Sequence, residues 1–134
     1  MAQELKPTLA GLTVLVADDD EIVRGLLRVL LRVAGLNVVA EAANGERTLA
    51  SYRALRPRIV CLDIEMPGMN GLDVLTQIRA MSAETIVLVI SAETTSQNTN
   101  KAVAEKADGV IAKPFNTARL ISEIERALRR RASP

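Results

Sequence analysis

The sequence predicts an α/β fold, a doubly wound parallel sheet covered by helices on both faces. Five short apolar runs alternate strictly with five segments of helical periodicity, and such continuous apolar runs are typical of strands buried on both faces. The predicted strands span residues 12–17, 37–42, 59–62, 86–90 and 109–112. The predicted helices span 21 to a stop at Gly35, then 46–55, 72–81, about 96–106 and 116 to about 131.

The first half of the chain has clear boundary signals. Asp20 suits the N-cap of the first helix, and Asn44 with Gly45 marks the turn before the second. Several apolar residues fall on one side of the first helix, with its arginines elsewhere: Ile22, Leu26, Val29, Leu30 and Val33, against Arg24, Arg28 and Arg32.

The second half has stronger strands and one weak helix. Residues 66–71 form a loop rich in Pro and Gly, and residues 86–90 form the clearest strand. Residues 94–100 have low helix propensity, so we expect the fourth helix to be loose or short. The third and fifth helices carry apolar stripes at Val74, Leu75, Ile78 and Met81, and at Leu120, Ile121, Ile124 and Leu128.

The composition excludes several classes of function. The chain has no His and one Cys among 134 residues, which excludes a Ser-His-Asp triad, a His-ligated zinc and an internal disulfide framework. A formal net charge of +1 gives no sign of nucleic-acid binding. The sequence contains no long apolar stretch and no secretory leader pattern, so we expect a cytoplasmic protein without a membrane span.

The length predicts one domain at residues 12–131, with an N-terminal tail at 1–11 and a C-terminal tail at 132–134. Whether this domain stands alone or belongs to a longer regulator stays open.

Reactive side chains collect where the predicted strands end. In an open parallel sheet, function gathers at the carboxyl ends of the strands. The residues found there are Asp18, Asp19 and Asp20 after the first strand, Asp63 after the third, Ser91 at the end of the fourth and Lys113 after the fifth. Singly, such residues usually cap helices, start turns or lie in solvent. Together they predict one site at which carboxylates, a hydroxyl and an ammonium converge.

This set of side chains suits phosphoryl chemistry with a hard metal. Clustered carboxylates repel one another unless a cation lies among them, and oxygen ligands without His or Cys fit Mg²⁺ or Mn²⁺. Asp18 and Asp19 are the candidate metal residues, and Asp63 is the candidate nucleophile, able to form an acyl phosphate. Ser91 can donate a hydrogen bond to a phosphoryl oxygen, and Lys113 can pair with Asp63 at rest and with the phosphoryl group afterwards.

Four separated motifs then carry a resemblance to a known family. They are VLVADDD at residues 14–20, LDIEMPGMNG at 62–71, VISA at 89–92 and KPF at 113–115. Over about residues 12–131 the chain resembles the receiver domain of bacterial two-component response regulators, the CheY-like family. The resemblance implies a (βα)₅, flavodoxin-like fold with strand order 2-1-3-4-5.

The resemblance also implies how the pocket binds metal. Asp63 is the phosphoacceptor, and Mg²⁺ (or Mn²⁺) is held by Asp19, Asp63 and the backbone oxygen of Glu65, with Asp18 acting through water. Glu65 and Glu93 flank the pocket and tune the phosphoryl lifetime; the alternative, that both are ordinary exposed acids, stays open.

Phosphoryl-binding and switch roles fall to Ser91, Ala92 and Lys113, and a cis peptide bond is expected before Pro114. The family often has an aromatic switch residue three positions before the Lys, where this chain has Val110. Valine has no ring to swing between buried and exposed states, so a Ser91-driven shift of the loop after the fourth strand remains open as the output route.

The implied partners are a sensor histidine kinase or a histidine phosphotransfer protein, since the chain has no His of its own. Phosphorylation would remodel the surface of the fourth helix, fifth strand and fifth helix for partner binding or homodimerisation. We expect no direct nucleic-acid binding by this domain and no membrane contact. The three arginines of the first helix either contact a kinase or form a solvated basic face.

Two other classes of function stay open beside the signalling switch. We do not expect the switch itself to be an enzyme. An aspartate-nucleophile phosphatase of the haloacid-dehalogenase type would use LDIE at 62–65, but Glu65 stands where a second Asp is expected. A phosphorylation-independent interaction module usually lacks a pocket residue, whereas all five pocket positions are present here.

Overall fold

The computed structural model describes residues 8–92 and 95–132. The strands are β1 (Thr13–Ala17), β2 (Asn37–Ala42), β3 (Ile59–Leu62), β4 (Ile86–Ser91) and β5 (Gly109–Ala112). The helices are α1 (Glu21–Val33), α2 (Gly45–Leu55), α3 (Gly71–Met81), α4 (Ser96–Ala104) and α5 (Thr117–Ala132).

All four strand pairs are parallel, and the sheet order is β2-β1-β3-β4-β5, which confirms the predicted fold. After β2 the chain crosses back past β1 to form β3, so the strand order reverses between β1 and β3. A crevice at the carboxyl ends of the strands opens at such a reversal. This topology places Asp18 and Asp63, the residues that follow β1 and β3, on opposite sides of that crevice.

The sheet is buried on both faces by aliphatic side chains. On one face α1 and α5 pack against alternate residues of the strands, such as Val14, Val16 and Ile86. On the other face α2, α3 and α4 pack against the intervening residues, such as Leu15 and Leu62. Strands buried on both faces explain why the runs read as continuously apolar.

The buried face of α1 is not the one that the apolar stripe indicated. Leu27 and Leu31 point into the core, whereas Ile22 and Val33 are 83% and 82% exposed. Leu26 and Val29 are also exposed. The arginines do not form one solvated face either, because Arg24 and Arg28 both contact Glu41 of β2. The helix therefore presents an apolar stripe outward, and we call Ile22, Leu26, Val29 and Val33 the α1 stripe.

Side-chain caps fix where all five helices begin, and for α5 the cap is Asn116, whose side chain accepts the Arg119 N–H. Asp20 accepts hydrogen bonds from the backbone N–H groups of Ile22 and Val23, as predicted for the N-cap of α1. Asn44, Asn70 and Thr95 cap α2, α3 and α4 in the same way. The predicted short fourth helix is confirmed, since α4 has nine residues.

At the amino end of the sheet, Asp108 joins α3, β4 and α5. It lies just before β5, and its carboxylate accepts from the Val87 backbone N–H at 2.8 Å. Arg79 of α3 donates to it at 2.8 Å, and Arg131 of α5 donates to both of its oxygens at 2.9 and 3.1 Å. We call this group the Asp108 cluster. No described helix is both long and apolar enough to cross a membrane.

Candidate functional site

Two buried aspartates are held at the sheet edge by continuations of the strand ladder. The backbone N–H of Asp18 donates to Ala42 at 3.0 Å, and that of Asp63 donates to Ala17 at 2.9 Å. Asp18 and Asp63 are consequently fixed side by side, with only 1% and 5% of their surface exposed. The neighbouring Asp19 is exposed at the mouth of the crevice.

Lys113 bridges the two aspartates from the end of β5. Its Nζ donates to Asp18 Oδ2 at 2.7 Å and to Asp63 Oδ2 at 3.3 Å. The predicted pairing with Asp63 is present, but the shorter contact is to Asp18. The other oxygens accept backbone N–H groups, from Asp20 at 2.9 Å for Asp18 and from Glu65 at 3.3 Å for Asp63.

The site carries more negative charge than its cation neutralises. Burial and then the charge of Asp18 raise the pKa of Asp63, although Lys113 and the Glu65 N–H pull it the other way. For Lys113, burial alone would lower the pKa, but the hydrogen bonds and charges of Asp18 and Asp63 outweigh it and the pKa is raised. The ammonium therefore stays protonated, while the Asp63 carboxylate is held at an energetic cost.

The carboxylates are spaced to hold a hard cation. One oxygen from each of Asp18, Asp19 and Asp63 can be chosen so that all lie within 4.8 Å of one another. Oxygen-only ligands with a net negative charge fit Mg²⁺, which takes a small number of carboxylates and keeps several waters. The donor set thus fits the ion that the sequence predicted.

Ser91 and Lys113 are tied together across neighbouring strands. Ser91 is fully buried and pairs with Ala112 in the β4–β5 register, and its carbonyl accepts the Lys113 N–H at 3.0 Å. Every residue expected at the pocket and described in the structure lies there. A cavity of about 210 Å³ is lined by Asp19, Asp20, Asp63, Glu65, Ser91, Ala92 and Lys113, and Asp18 contacts this lining through Lys113.

The remaining predicted positions fall at the rim or outside the described part. Glu65 is exposed at the edge of the cavity, whereas Glu93 lies outside the described residues. The peptide bond between Lys113 and Pro114 is cis. Val110 is half-buried and lines a groove on the surface formed by α4, β5 and α5, which we call the α4–β5–α5 surface.

The sequence predicts Gly71 in the loop of residues 66–71, but in the structure it is the first residue of α3 and has a specific role. A Cβ at this position would clash with the main-chain carbonyl of Asp63. The Gly71 N–H also donates to the carbonyl of Ile64 at 2.7 Å. A glycine at the start of α3 therefore lets the helix approach the Asp63 backbone closely. The signal in the sequence was a glycine directly after the N-cap Asn70.

Comparisons with known proteins agree with this architecture. The family profile of the response regulator receiver domain matches residues 14–125. Chemotaxis protein CheY of Thermotoga maritima is 33% identical over 116 residues, which cover 87% of this chain and 97% of that protein. Transcriptional regulatory protein PrrA of Mycobacterium tuberculosis is 38% identical over 120 residues, which cover 90% of this chain and 51% of PrrA. The chain thus spans about half the length of this relative.

Solved structures share the fold. A chain of the CheX–CheY–BeF₃–Mg complex of Borrelia burgdorferi gives a TM-score of 0.83 at 28% identity, with 86% of this chain and 87% of that chain covered. A receiver domain protein of Methanospirillum hungatei gives 0.85 at 22% identity, with 91% and 97% covered. With the sheet order, the acidic crevice and the family profile in agreement, the chain belongs to the response regulator receiver domain family.

Proposed function

We propose that the chain is a signalling switch activated by phosphorylation of Asp63. The observation that carries the proposal is the acidic crevice, in which three carboxylates converge within 4.8 Å. Lys113 is the only cation paired with them among the described residues. A site with surplus negative charge and a protonated ammonium is prepared for a divalent cation and for an incoming phosphoryl group.

In the proposed reaction, an Asp63 oxygen attacks the phosphorus of a phosphohistidine carried by a partner. The P–N bond breaks as the O–P bond forms, and the imidazole leaves with the electron pair and takes up a proton. Asp19, Asp63 and the backbone oxygen of Glu65 would hold Mg²⁺, with Asp18 acting through water. The bound ion would supply neutralisation of phosphoryl charge.

Lys113 and Ser91 would then bind the new phosphoryl group. The Lys113 ammonium already lies 3.3 Å from Asp63, so it can pair with a phosphoryl oxygen after a small shift. Ser91 can donate its hydroxyl to another oxygen and draw the loop after β4 inward. Since the Ser91 carbonyl is bonded to the Lys113 N–H, both motions act on the ends of β4 and β5, beside the α4–β5–α5 surface.

The groove at Val110 favours the α4–β5–α5 surface as the place where the phosphorylated chain binds its partner. This open depression is lined by Thr99, Val110, Phe115 and Arg119. Because residue 110 is a valine, no aromatic ring from this position fills the space. We propose that the phosphorylated chain uses the α4–β5–α5 surface for partner binding or dimerisation. Sizing of the protein before and after phosphorylation distinguishes these two outputs.

The α1 stripe is the surface best placed to receive the phosphodonor. It begins at Ile22, two residues after Asp20 at the rim of the cavity, and extends along the helix to Val33. An apolar surface beside the phosphoacceptor suits a kinase or phosphotransfer protein that must bring its histidine to Asp63. Leu26→Ser should slow transfer from a protein phosphodonor while leaving phosphorylation by phosphoramidate, a small P–N donor, unchanged.

The proposal is tested by incubation with phosphoramidate and Mg²⁺ and by intact-protein mass spectrometry. We expect one phosphoryl group on the wild type, none on Asp63→Asn, and one on the control Asp73→Asn, whose carboxylate is exposed on α3. Because the chain has no Trp, beryllofluoride binding is followed by ¹⁵N chemical shifts rather than by Trp fluorescence. No uptake by the wild type would indicate a phosphorylation-independent module, and steady turnover of phosphomonoesters would indicate a phosphatase.

A further inference from the structure

An arginine of α1 contacts the main chain of the acidic crevice. Arg24 Nη1 donates to the carbonyl of Asp18 at 2.9 Å, and its Nε lies 3.3 Å from Glu41 Oε1. Arg28 in turn lies 2.7 Å from the second oxygen of Glu41. With only 18% of its side chain exposed, Arg24 is an integrated part of the fold rather than a solvated surface group.

A β-bulge in β2 points Glu41 at this arginine. The β1–β2 register pairs Val14 with Val38 but Leu15 with Ala40, so Val39 is an extra residue. Val38 packs on the α1 side of the sheet, whereas Ala40 packs on the α2 side. Because side chains alternate along a strand, Glu41 would face the apolar α2 side without the bulge.

Together these contacts fix the Asp18 peptide from several directions. Its N–H donates to Ala42 of β2, its carbonyl accepts from Arg24, and its carboxylate accepts from Lys113 and from the backbone N–H of Asp20. The Asp18 carbonyl is also the peptide oxygen that precedes Asp19. A guanidinium held on one side by Glu41 and bonded to this oxygen on the other restrains how both aspartates present their carboxylates.

We propose that Arg24, oriented by Glu41, is a positioning residue for divalent-metal binding. It touches neither the metal nor the phosphoryl group, and it acts through the Asp18–Asp19 peptide. The inference rests on the proposed function, since it assumes that the acidic crevice binds Mg²⁺. Outer residues that orient metal ligands commonly change affinity by tenfold or more when they are removed.

The charge of Arg24 makes the inference sharply testable. If Arg24 acted only as a nearby positive charge, its removal would make the crevice more negative and Mg²⁺ would bind more tightly. A positioning role predicts the opposite sign. We expect Arg24→Ala to weaken Mg²⁺ binding by about tenfold. Arg24→Lys should weaken Mg²⁺ binding by an intermediate amount. The lysine ammonium keeps the charge but replaces a planar guanidinium that contacts both the Asp18 carbonyl and Glu41.

The experiment measures the Mg²⁺ dissociation constant of the unphosphorylated full chain by titration calorimetry, at a temperature where every variant is folded by circular dichroism. Arg32→Ala is the control, because Arg32 is an exposed arginine on the same helix. This variant should bind Mg²⁺ as tightly as the wild type. Glu41→Ala should also weaken binding. The double variant Arg24→Ala/Glu41→Ala should bind no worse than Arg24→Ala, because both substitutions break one chain of contacts.

The outcomes separate the inference from the proposed function. Unchanged or tighter Mg²⁺ binding by folded Arg24→Ala and Arg24→Lys would overturn the positioning role while leaving the switch intact. Fully additive losses in the double variant would overturn the part assigned to Glu41. Absence of Mg²⁺ binding by the wild type would overturn the proposed function, and the positioning role with it.

Discussion

The two edges of the sheet both bury aspartate side chains, one at the amino edge and two at the carboxyl edge, but they neutralise them differently. At the amino edge, Asp108 is paired with Arg79 and Arg131 and accepts a backbone N–H as well. At the carboxyl edge, Asp18 and Asp63 share one ammonium, and Asp19 adds a third carboxylate at the mouth. Cations therefore exceed acids in the first cluster, and acids exceed cations in the second.

The difference separates a structural site from a functional one. A buried charge is tolerated when partners satisfy it, and the Asp108 cluster meets this requirement with its own side chains. The crevice does not, which is why burial and the charge of Asp18 raise the pKa of Asp63. Under the proposed function, the carboxyl edge accepts a cation and a phosphoryl group, and its unneutralised charge is the cost in stability of that role.

The largest expected effect is at the complete edge. Asp108→Ala would leave Arg79, only 9% exposed, without its carboxylate and would remove the acceptor of the Val87 N–H. Loss of one partner of a buried pair costs about 3–5 kcal/mol. Urea unfolding should report this loss in the free energy of unfolding, while Glu84→Ala, exposed at the same edge, should change it little. If Asp108→Ala unfolded at the same urea concentration as the wild type, the contrast drawn between the two edges would be wrong.

A smaller effect is expected from metal at the incomplete edge. Mg²⁺ at about 100 times its dissociation constant should stabilise the wild type by about 2.7 kcal/mol, because it binds only the folded chain. Thermal unfolding with and without Mg²⁺, against NaCl of matched ionic strength, measures the gain. Asp19→Asn should lose most of it, and Asp108→Asn should keep it. Equal stabilisation of Asp19→Asn would show that the ion binds elsewhere.

The smallest effect concerns Asp63, the proposed phosphoacceptor, in the absence of metal. Since the pKa of Asp63 is raised in the folded state, the folded chain binds this proton more tightly than the unfolded chain. Ionisation of Asp63 therefore removes stability as pH rises from its ordinary pKa of 3.8 to the raised one. In EDTA, Asp63→Asn should melt at a higher temperature than the wild type at neutral pH.

The same gain should disappear as pH falls below the ordinary pKa of Asp63, where the wild-type carboxyl is protonated in both states. Differential scanning calorimetry at stepwise pH gives the comparison, with Asp73→Asn as the exposed control. If Asp63→Asn melted below the wild type at neutral pH, the contribution of Lys113 pairing would outweigh the cost of burial and the view of an incomplete edge would be wrong.

The sequence by itself determined the fold class and the contents of the crevice. Continuous apolar runs alternating with helical segments predict a parallel sheet, because each strand must be buried on both faces. Parallel strands place their carboxyl ends on one edge, so the sequence predicts Asp18, Asp63 and Lys113 at that edge. The strand order, which makes β1 and β3 neighbours, brings Asp18 and Asp63 side by side. These conclusions depend on the periodicity of the apolar residues and on the parallel direction of the strands, which the alternation of strands and helices in the sequence predicts.

Tertiary structure alone decided which face of α1 is buried. That helix has apolar residues around most of its circumference, including Leu27 and Leu31 as well as the α1 stripe, so its periodicity cannot select the inner face. The bulge at Val39 likewise depends on pairing with β1, and it alone turns Glu41 toward Arg24. The Asp108 cluster joins residues 29 and 23 positions apart in sequence. Packing between distant segments settles such contacts, since no local pattern records which partners meet.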